Sequence, residues 1–161
     1  MLRKIKLTQG KYALVDDADY DRINKYNWYF THYGYAARKT PKAERDKGRA
    51  SVIYMHREIL NAMEGSDVDH VDGNRLNNQS NNLRICSRSE NLRNQRKAKN
   101  TTSKYKGVCW QERDKKWQVY IYHGKKNHYL GYFDKEEDAA GAYNEEAIKH
   151  HGEYAYLNKI S

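Results

Sequence analysis

DVDHVDGNRLNNQSNNLRICSRSENLRNQR, running from Asp67 to Arg96, is the stretch on which the reading of the whole chain turns. Val68 to Val71 alternates apolar and polar, the pattern of a short half-buried strand. Asp69 and His70 stand side by side within it. From Asp72 to Asn82 the chain is dense in Asn and Gly, residues that build turns by bonding to their own backbone and by tolerating left-handed conformations. The loop ends in Asn82-Leu83-Arg84. Ser87 then opens a polar segment, SRSENLRNQR, expected to be helical, with Asn91 inside it. Strand, loop and helix thus present Asp69, His70, Asn82 and Asn91 in order.

Those four side chains suit one kind of chemistry. An imidazole takes a proton from water near neutral pH. A carboxylate and an amide oxygen are hard donors suited to Mg²⁺ or Mn²⁺. Hydrolysis of a phosphodiester needs a base for the attacking water and a cation for the departing 3′ oxygen, and the set offers both. Singly the residues are bland: Asn-Gly loops are turns, and a lone His is most often structural. Their order gives them meaning.

The rest of the chain is consistent with an anionic partner. It has 161 residues, 38% hydrophobic and 32% charged, so any core is small. Lys and Arg outnumber Asp and Glu 30 to 21, a net charge of +9. With 15 Tyr and 3 Trp, that balance points to nucleic acid. Cys86 and Cys109 form no C-x-x-C pair, so neither a cysteine zinc site nor a disulfide is expected, and a reducing compartment fits. No apolar run approaches the length of a membrane span, and Met1-Leu-Arg-Lys opens no signal peptide. A soluble, cytoplasmic protein of a phage or bacterial host is expected.

The predicted fold class is α+β in four parts. Residues 1–63 form a mixed unit. Lys4 to Thr8 and Tyr12 to Asp16 read as a hairpin. Asp16-Asp17 caps a helix reaching Tyr26. Trp28 to Phe30 pairs with Tyr33 to Arg38, and a charged loop runs from Lys39 to Arg49. Ser51 to Met55 is a strand, and His56 to Met63 a helix burying Ile59, Leu60 and Met63. Residues 64–96 hold the Asp-His-Asn-Asn stretch, and 97–103 form a basic linker. Arg93 to Lys106 carries six basic residues and no acid, as a segment lying along phosphates would. Residues 104–161 form a three-stranded antiparallel sheet packed on one helix. Its strands are Lys106 to Gln111, Trp117 to His123 and Asn127 to Phe133. Trp117, Val119 and Ile121 share one face; Gln118, Tyr120 and Tyr122 share the other. Asp134 and Glu137 form a capping box for a helix with a stripe of Ala139, Ala140, Tyr143, Ala147 and Ile148.

DHVDGNRLNNQSNNLRICSRSENLRNQ also resembles the HNH endonucleases, the ββα-metal nucleases found among phage and bacterial homing enzymes. The resemblance implies that His70 is the general base and that Asp69 binds the metal. It implies that Asn82 ties the loop together and orients the His70 ring, and that Asn91 is the second protein ligand. Many family members carry His at that last position. Asn there is similar to homing nucleases that use Mg²⁺ or Mn²⁺ and nick one strand. KYALVDDADYDRI and IYMHREIL match the leader of such two-part proteins, in which His56 is expected to be structural or a phosphate contact rather than a second base.

The segment from Tyr105 to Asn158 resembles the plant ethylene-response-factor (APETALA-type) DNA-binding domain. The resemblance is carried by Tyr-Lys-Gly-Val, Leu-Gly-Tyr-Phe, Ala-Ala-x-Ala-Tyr and the final Leu-Asn. In that family the sheet enters the major groove, which implies DNA-facing Lys106, Cys109, Gln111, Arg113, Tyr120, Tyr122, Asn127 and Tyr129. The plant domains carry Arg at several positions where this chain has Cys109, Gln111, Tyr122 and Asn127. The bidentate readers of guanine are therefore absent and the plant target does not carry over. Arg93, Arg96, Lys97, Lys99 and Lys104 are the expected backbone contacts of the linker.

The expected function is site-specific, metal-dependent cleavage of double-stranded DNA by a homing-type endonuclease acting as a monomer, with no small-molecule cofactor and no membrane. The alternative is a DNA-binding transcriptional regulator in which the nuclease segment is only a scaffold.

Overall fold

A computed structural model describes residues 1–48, 50–95, 97 and 101–160. The chain is mixed α+β, with several small antiparallel sheets and five α-helices among the described residues. It divides into two compact units, Met1–Arg88 and Ser89–Ser161.

The first unit opens with the expected hairpin, β1 (Leu2–Lys6) against β2 (Tyr12–Asp16). Their period-two pattern sends Ile5, Ala13 and Val15 inward. Helix α1 (Asp17–Asn24) follows and buries Ile23, whose carbonyl accepts the Trp28 indole N–H at 2.8 Å. Asp16 stands at the N-cap of α1 but makes no side-chain capping bond. Its carboxylate instead accepts from the Ser80 backbone N–H at 2.7 Å and from Gln79 Nε2 at 3.2 Å. An acid expected to start a helix therefore serves the loop that precedes Asn82. The Ser80 bond holds its carboxyl below the usual range, against the effect of burial.

A second small sheet is made of β3 (Tyr29–Phe30), β4 (Ala36–Lys39) and β5 (Val52–Tyr54). Between β4 and β5 the charged stretch holds a single helical turn, α2 (Lys42–Arg45). Arg38 on β4 makes a bidentate pair with Glu58, at 2.8 and 3.1 Å, and lies over the Tyr26 ring. The next helix is shorter than expected. α3 spans Met55–Ile59, and Asn61 then takes a left-handed conformation at φ 47°. Met63, expected to be buried on that helix, lies beyond its end and is exposed.

His56, on α3, is buried. Burial first, then the charges of His70 and Arg57, push its imidazole down to about 3. It is neutral in the fold and protonates on unfolding. Its contribution to stability is whole above about pH 6.5 and declines as pH falls from there toward its folded value. At pH 5 the expected loss is about 2 kcal/mol. Hydrogen exchange of first-unit amides at about pH 7 and about pH 5 should show this as faster opening at the lower pH. The effect should shrink in His56→Phe.

The site strands close the unit. β6 (Asp67–His70) pairs antiparallel with β7 (Leu83–Cys86), setting Asp69 opposite Arg84 and His70 opposite Leu83. Val68 and Leu83 pack into the core built by Ile5, Val15 and Ile23, so β6 and β7 share one hydrophobic core with the hairpin of β1 and β2. Helix α4 (Arg88–Asn94) follows in the chain.

The second unit contains β8 (Val108–Gln111), β9 (Lys116–His123) and β10 (Lys126–Phe133), with β9 in the middle of the sheet. Helix α5 (Glu136–His151) covers one face. Val119, Ile121, Ala139, Ala140, Tyr143 and Ala147 form the core, as their spacing predicts. Two expectations fail here. Ile148 is exposed, so the buried stripe of α5 is narrower than predicted. The capping box does not form: the N-cap is Lys135, and Asp134 pairs with Lys116 at 3.0 Å. A clasp of amides fixes the C-terminal segment. Asn158 exchanges two bonds with the Lys106 backbone, at 2.7 and 3.0 Å, and two with Asn144, at 2.7 and 2.9 Å.

Candidate active site

The loop from Val71 to Asn82 is held by its own amides. Asn82 Nδ2 donates to Asp72 Oδ1 at 3.0 Å and to the Asn77 carbonyl at 2.8 Å, while its Oδ1 accepts the Asp72 backbone N–H at 3.0 Å. Asp72 also accepts from the Asn74 backbone N–H at 2.7 Å and from Asn77 Nδ2 at 2.8 Å. Burial alone would raise its carboxyl, but these donors hold it below the usual range. The loop is then fastened to β2: Leu14 donates its N–H to the Leu76 carbonyl and Asn78 donates its N–H to the Leu14 carbonyl, both at 2.8 Å.

His70, at the end of β6, is 4% exposed. Burial lowers its imidazole below the ordinary range, opposed by a hydrogen bond with Asn78 and by the charges of Asp72 and Asp69. It is therefore neutral near pH 7, the form a proton acceptor needs. Its ring meets His56 edge-on, with centroids 5.1 Å apart, and Tyr35 at 6.0 Å. Tyr54 stacks on His56 at 5.6 Å. His56 is thus part of the wall around the His70 ring.

Asp69 is 7% exposed, and its Oδ2 accepts from Arg84 Nε at 3.0 Å and Nη2 at 2.7 Å. Arg84 is one of the residues the sequence alone did not single out. The pairing of β6 with β7 sets the two opposite each other, and the guanidinium offsets the cost of burying the carboxylate. Among the described residues, no three His, Cys, Asp or Glu side chains converge on one point. Asn91 lies on α4 in the second unit. A carboxylate oxygen such as that of Asp69 is a hard donor of the kind a divalent cation takes.

The sheet of the second unit turns an open face away from α5. Register sets Cys109 beside Gln118, Tyr120 beside Tyr129, Tyr122 beside Asn127, and Gln111 beside Lys116. The tyrosines are exposed, Tyr122 most of all at 61%. Gln118 and Tyr132 also belong to this face. Strict alternation from Tyr129 would turn Tyr132 toward the helix. A β-bulge between Tyr129 and Gly131 re-aims it, so that it packs against Tyr129 at 5.6 Å and accepts from Gln118 Nε2 at 3.1 Å. A bulge leaves little trace in sequence beyond a Gly in mid-strand, here Gly131.

The expected basic contacts divide. Lys104 pairs with Glu137 and Arg113 with Asp114 at the surface. Lys97 Nζ donates to Thr101 Oγ1 at 2.6 Å and to the Ser103 carbonyl at 2.8 Å. Lys106 Nζ donates to the Arg93 and Gln95 carbonyls, both at 2.6 Å, and burial pushes it down to about 8. Arg96 and Lys99 lie outside the described residues.

The chain thus presents an Asp-His strand, an amide-latched loop and an Asn-bearing helix in succession. Comparison with known proteins makes the class explicit. Residues 54–93 match the HNH endonuclease family. An uncharacterized HNH endonuclease of Acanthamoeba polyphaga mimivirus is 30% identical over 155 residues, covering 94% of this chain and 77% of that protein. The chain belongs to the HNH endonuclease family, and it is a nuclease. Protein 3.8 of Escherichia phage T7 is 33% identical over 92 residues, 57% of this chain and 75% of its own length. No solved structure matches the chain. No helix among the described residues is long and apolar enough to cross a membrane.

Proposed function

We propose that the chain is a homing-type endonuclease that uses Mg²⁺ or Mn²⁺ to nick one strand of double-stranded DNA at a preferred site, acting as a monomer. The observation that carries this reading is His70, neutral and walled in at the end of β6, directly after a carboxylate. In this account His70 takes the proton of the attacking water as the new P–O bond forms and the bond to the 3′ oxygen breaks. Asp69 and Asn91 would hold the ion, Asn91 by its place in the motif. Once bound, the ion supplies Lewis-acid stabilisation of the phosphate and of the leaving oxygen. Arg84 pairs with Asp69 and holds it in register, and Asn82 keeps the loop closed.

The open sheet of the second unit provides the second contact with DNA, through Cys109, Gln111, Gln118, Tyr120, Tyr122, Asn127, Tyr129 and Tyr132. Tyrosine and amide side chains on a face without unpaired arginine favour modest sequence selection. The expected result is that Tyr122→Ala combined with Tyr129→Ala weakens DNA binding about 10-fold, while the slope of affinity against salt stays the same. Gel-shift titration over a salt series checks it.

The metal assignment has its own test. Asp69→Asn and Asn91→Ala should each raise the Mg²⁺ concentration needed for half-maximal cleavage about 10-fold or more, and a substitution on the open sheet should not. Titrating cleavage against Mg²⁺ for the three variants decides it. An unchanged Mg²⁺ requirement in Asp69→Asn would remove Asp69 from the site.

A further inference from the structure

Asn78 is 1% exposed, the most deeply buried polar side chain among the described residues. A polar group buried that far needs partners at both ends of its amide. Nδ2 donates to the Leu76 carbonyl at 3.1 Å, and Oδ1 faces His70 Nε2 at 3.4 Å. The orientation of the amide is set by chemistry. Turned over, Oδ1 would face the Leu76 carbonyl, acceptor against acceptor, and that bond would be lost. The backbone cannot easily shift to relieve this, because the Leu76 carbonyl and the Asn78 N–H are both bonded to Leu14 on β2 at 2.8 Å.

An acceptor facing an imidazole nitrogen requires that nitrogen to carry its hydrogen. His70 is then the Nε2–H tautomer, with its lone pair on Nδ1. The His56 and Tyr35 rings flank the imidazole and oppose its rotation. The geometry points to Asn78 as the positioning residue that fixes the tautomer of His70, which makes Nδ1 the nitrogen that receives the proton of the attacking water. This deepens the reading of His70 as the base and rests on it. The 3.4 Å separation is long for such a bond, as catalytic hydrogen bonds often are before substrate binds. The neighbouring Asn82 has its own amide committed to Asp72 and Asn77.

The test is the ¹⁵N imidazole spectrum of the full chain, with the His70 signals assigned by their loss in His70→Gln, together with cleavage rates. The wild type should show an N–H-bearing Nε2 and an unprotonated Nδ1. Asn78→Leu removes the acceptor with little change of size. It should give mixed tautomers and cleavage about 10- to 100-fold slower, with KM for DNA unchanged. Asn78→Asp keeps an acceptor toward Nε2 but sets a second acceptor against the Leu76 carbonyl, so only folded Asn78→Asp is informative, and it should keep the Nε2–H signal. A wild-type spectrum with the hydrogen on Nδ1 would overturn the proposal and leave His70 standing as the base. A folded Asn78→Leu with wild-type spectrum and rate would also overturn it. If Asn78→Leu does not fold, the wild-type spectrum decides. Cleavage by His70→Gln at the wild-type rate would sink both readings.

Discussion

His70→Ala should cut DNA about 10²- to 10⁴-fold more slowly than the wild type while binding it equally well. The rate should fall because a neutral imidazole is the group placed to take a proton, and alanine offers none. Affinity should hold because phosphate contacts carry most of it, and His70 is 4% exposed and so contributes little surface. The substitution has a structural cost that must be separated from the chemical one. It opens space beside His56 and Tyr35 and takes the partner from Asn78 Oδ1. A buried acceptor without a partner costs about 1–3 kcal/mol. Single-turnover cleavage and gel-shift affinity should therefore be read on protein whose folding has been checked, with His70→Gln as the less disruptive companion. A variant that is folded, binds and cuts at the wild-type rate would remove His70 from the chemistry.

The second large effect lies far from the motif in sequence. Gly107→Ala should unfold the second unit or nearly so. Gly107 sits at φ +78°, and a Cβ there would lie 2.1 Å from Tyr143 Cδ2 and 2.6 Å from the Tyr120 carbonyl oxygen. Tyr143 is a core ring, and the Tyr120 N–H donates to the Gly107 carbonyl at 2.8 Å. Neither neighbour can move without disturbing sheet or core. Left-handed strain of about 1–3 kcal/mol and overpacking of similar size add to about 3–5 kcal/mol. That is a large share of what a small domain has. Near-ultraviolet circular dichroism should lose the signal of the Trp110 and Trp117 pair, which lie 5.0 Å apart in the wild type. Retention of that signal and of the wild-type melting temperature would show that the close approach at Gly107 is not needed.

Much of the fold is written in periodicity. The alternation Trp117, Val119, Ile121 against Gln118, Tyr120, Tyr122 fixes the two faces of the second sheet, and the alanines of α5 let it lie close. What escaped the sequence is what depends on partners distant in the chain. Asp16 looks like a helix cap, yet its carboxylate bonds to Ser80 and Gln79. Arg84 has no distinguishing signal in the sequence, and it is strand pairing that sets it against Asp69. Tyr132 is moved to the open face by a bulge that period-two counting does not include. In the motif itself, order and spacing put Asp69 and His70 on a strand and Asn82 at the end of the loop, and the structure has them there. Asn78, one of several asparagines in a loop, was not legible there. Only the register of the loop against Leu14 brings its Oδ1 to His70 Nε2.

The measurement that bears most directly on the account is cleavage of supercoiled plasmid by the wild-type chain with Mg²⁺, with Mn²⁺ and with EDTA, carried out alongside genomic DNA to ensure that a site is present. The account predicts conversion to open circle with either metal and none with EDTA. Accumulation of linear product before open circle would contradict single-strand nicking. Absence of cleavage under every metal, with tight salt-sensitive binding retained on both substrates, would contradict the metal-dependent mechanism at its centre.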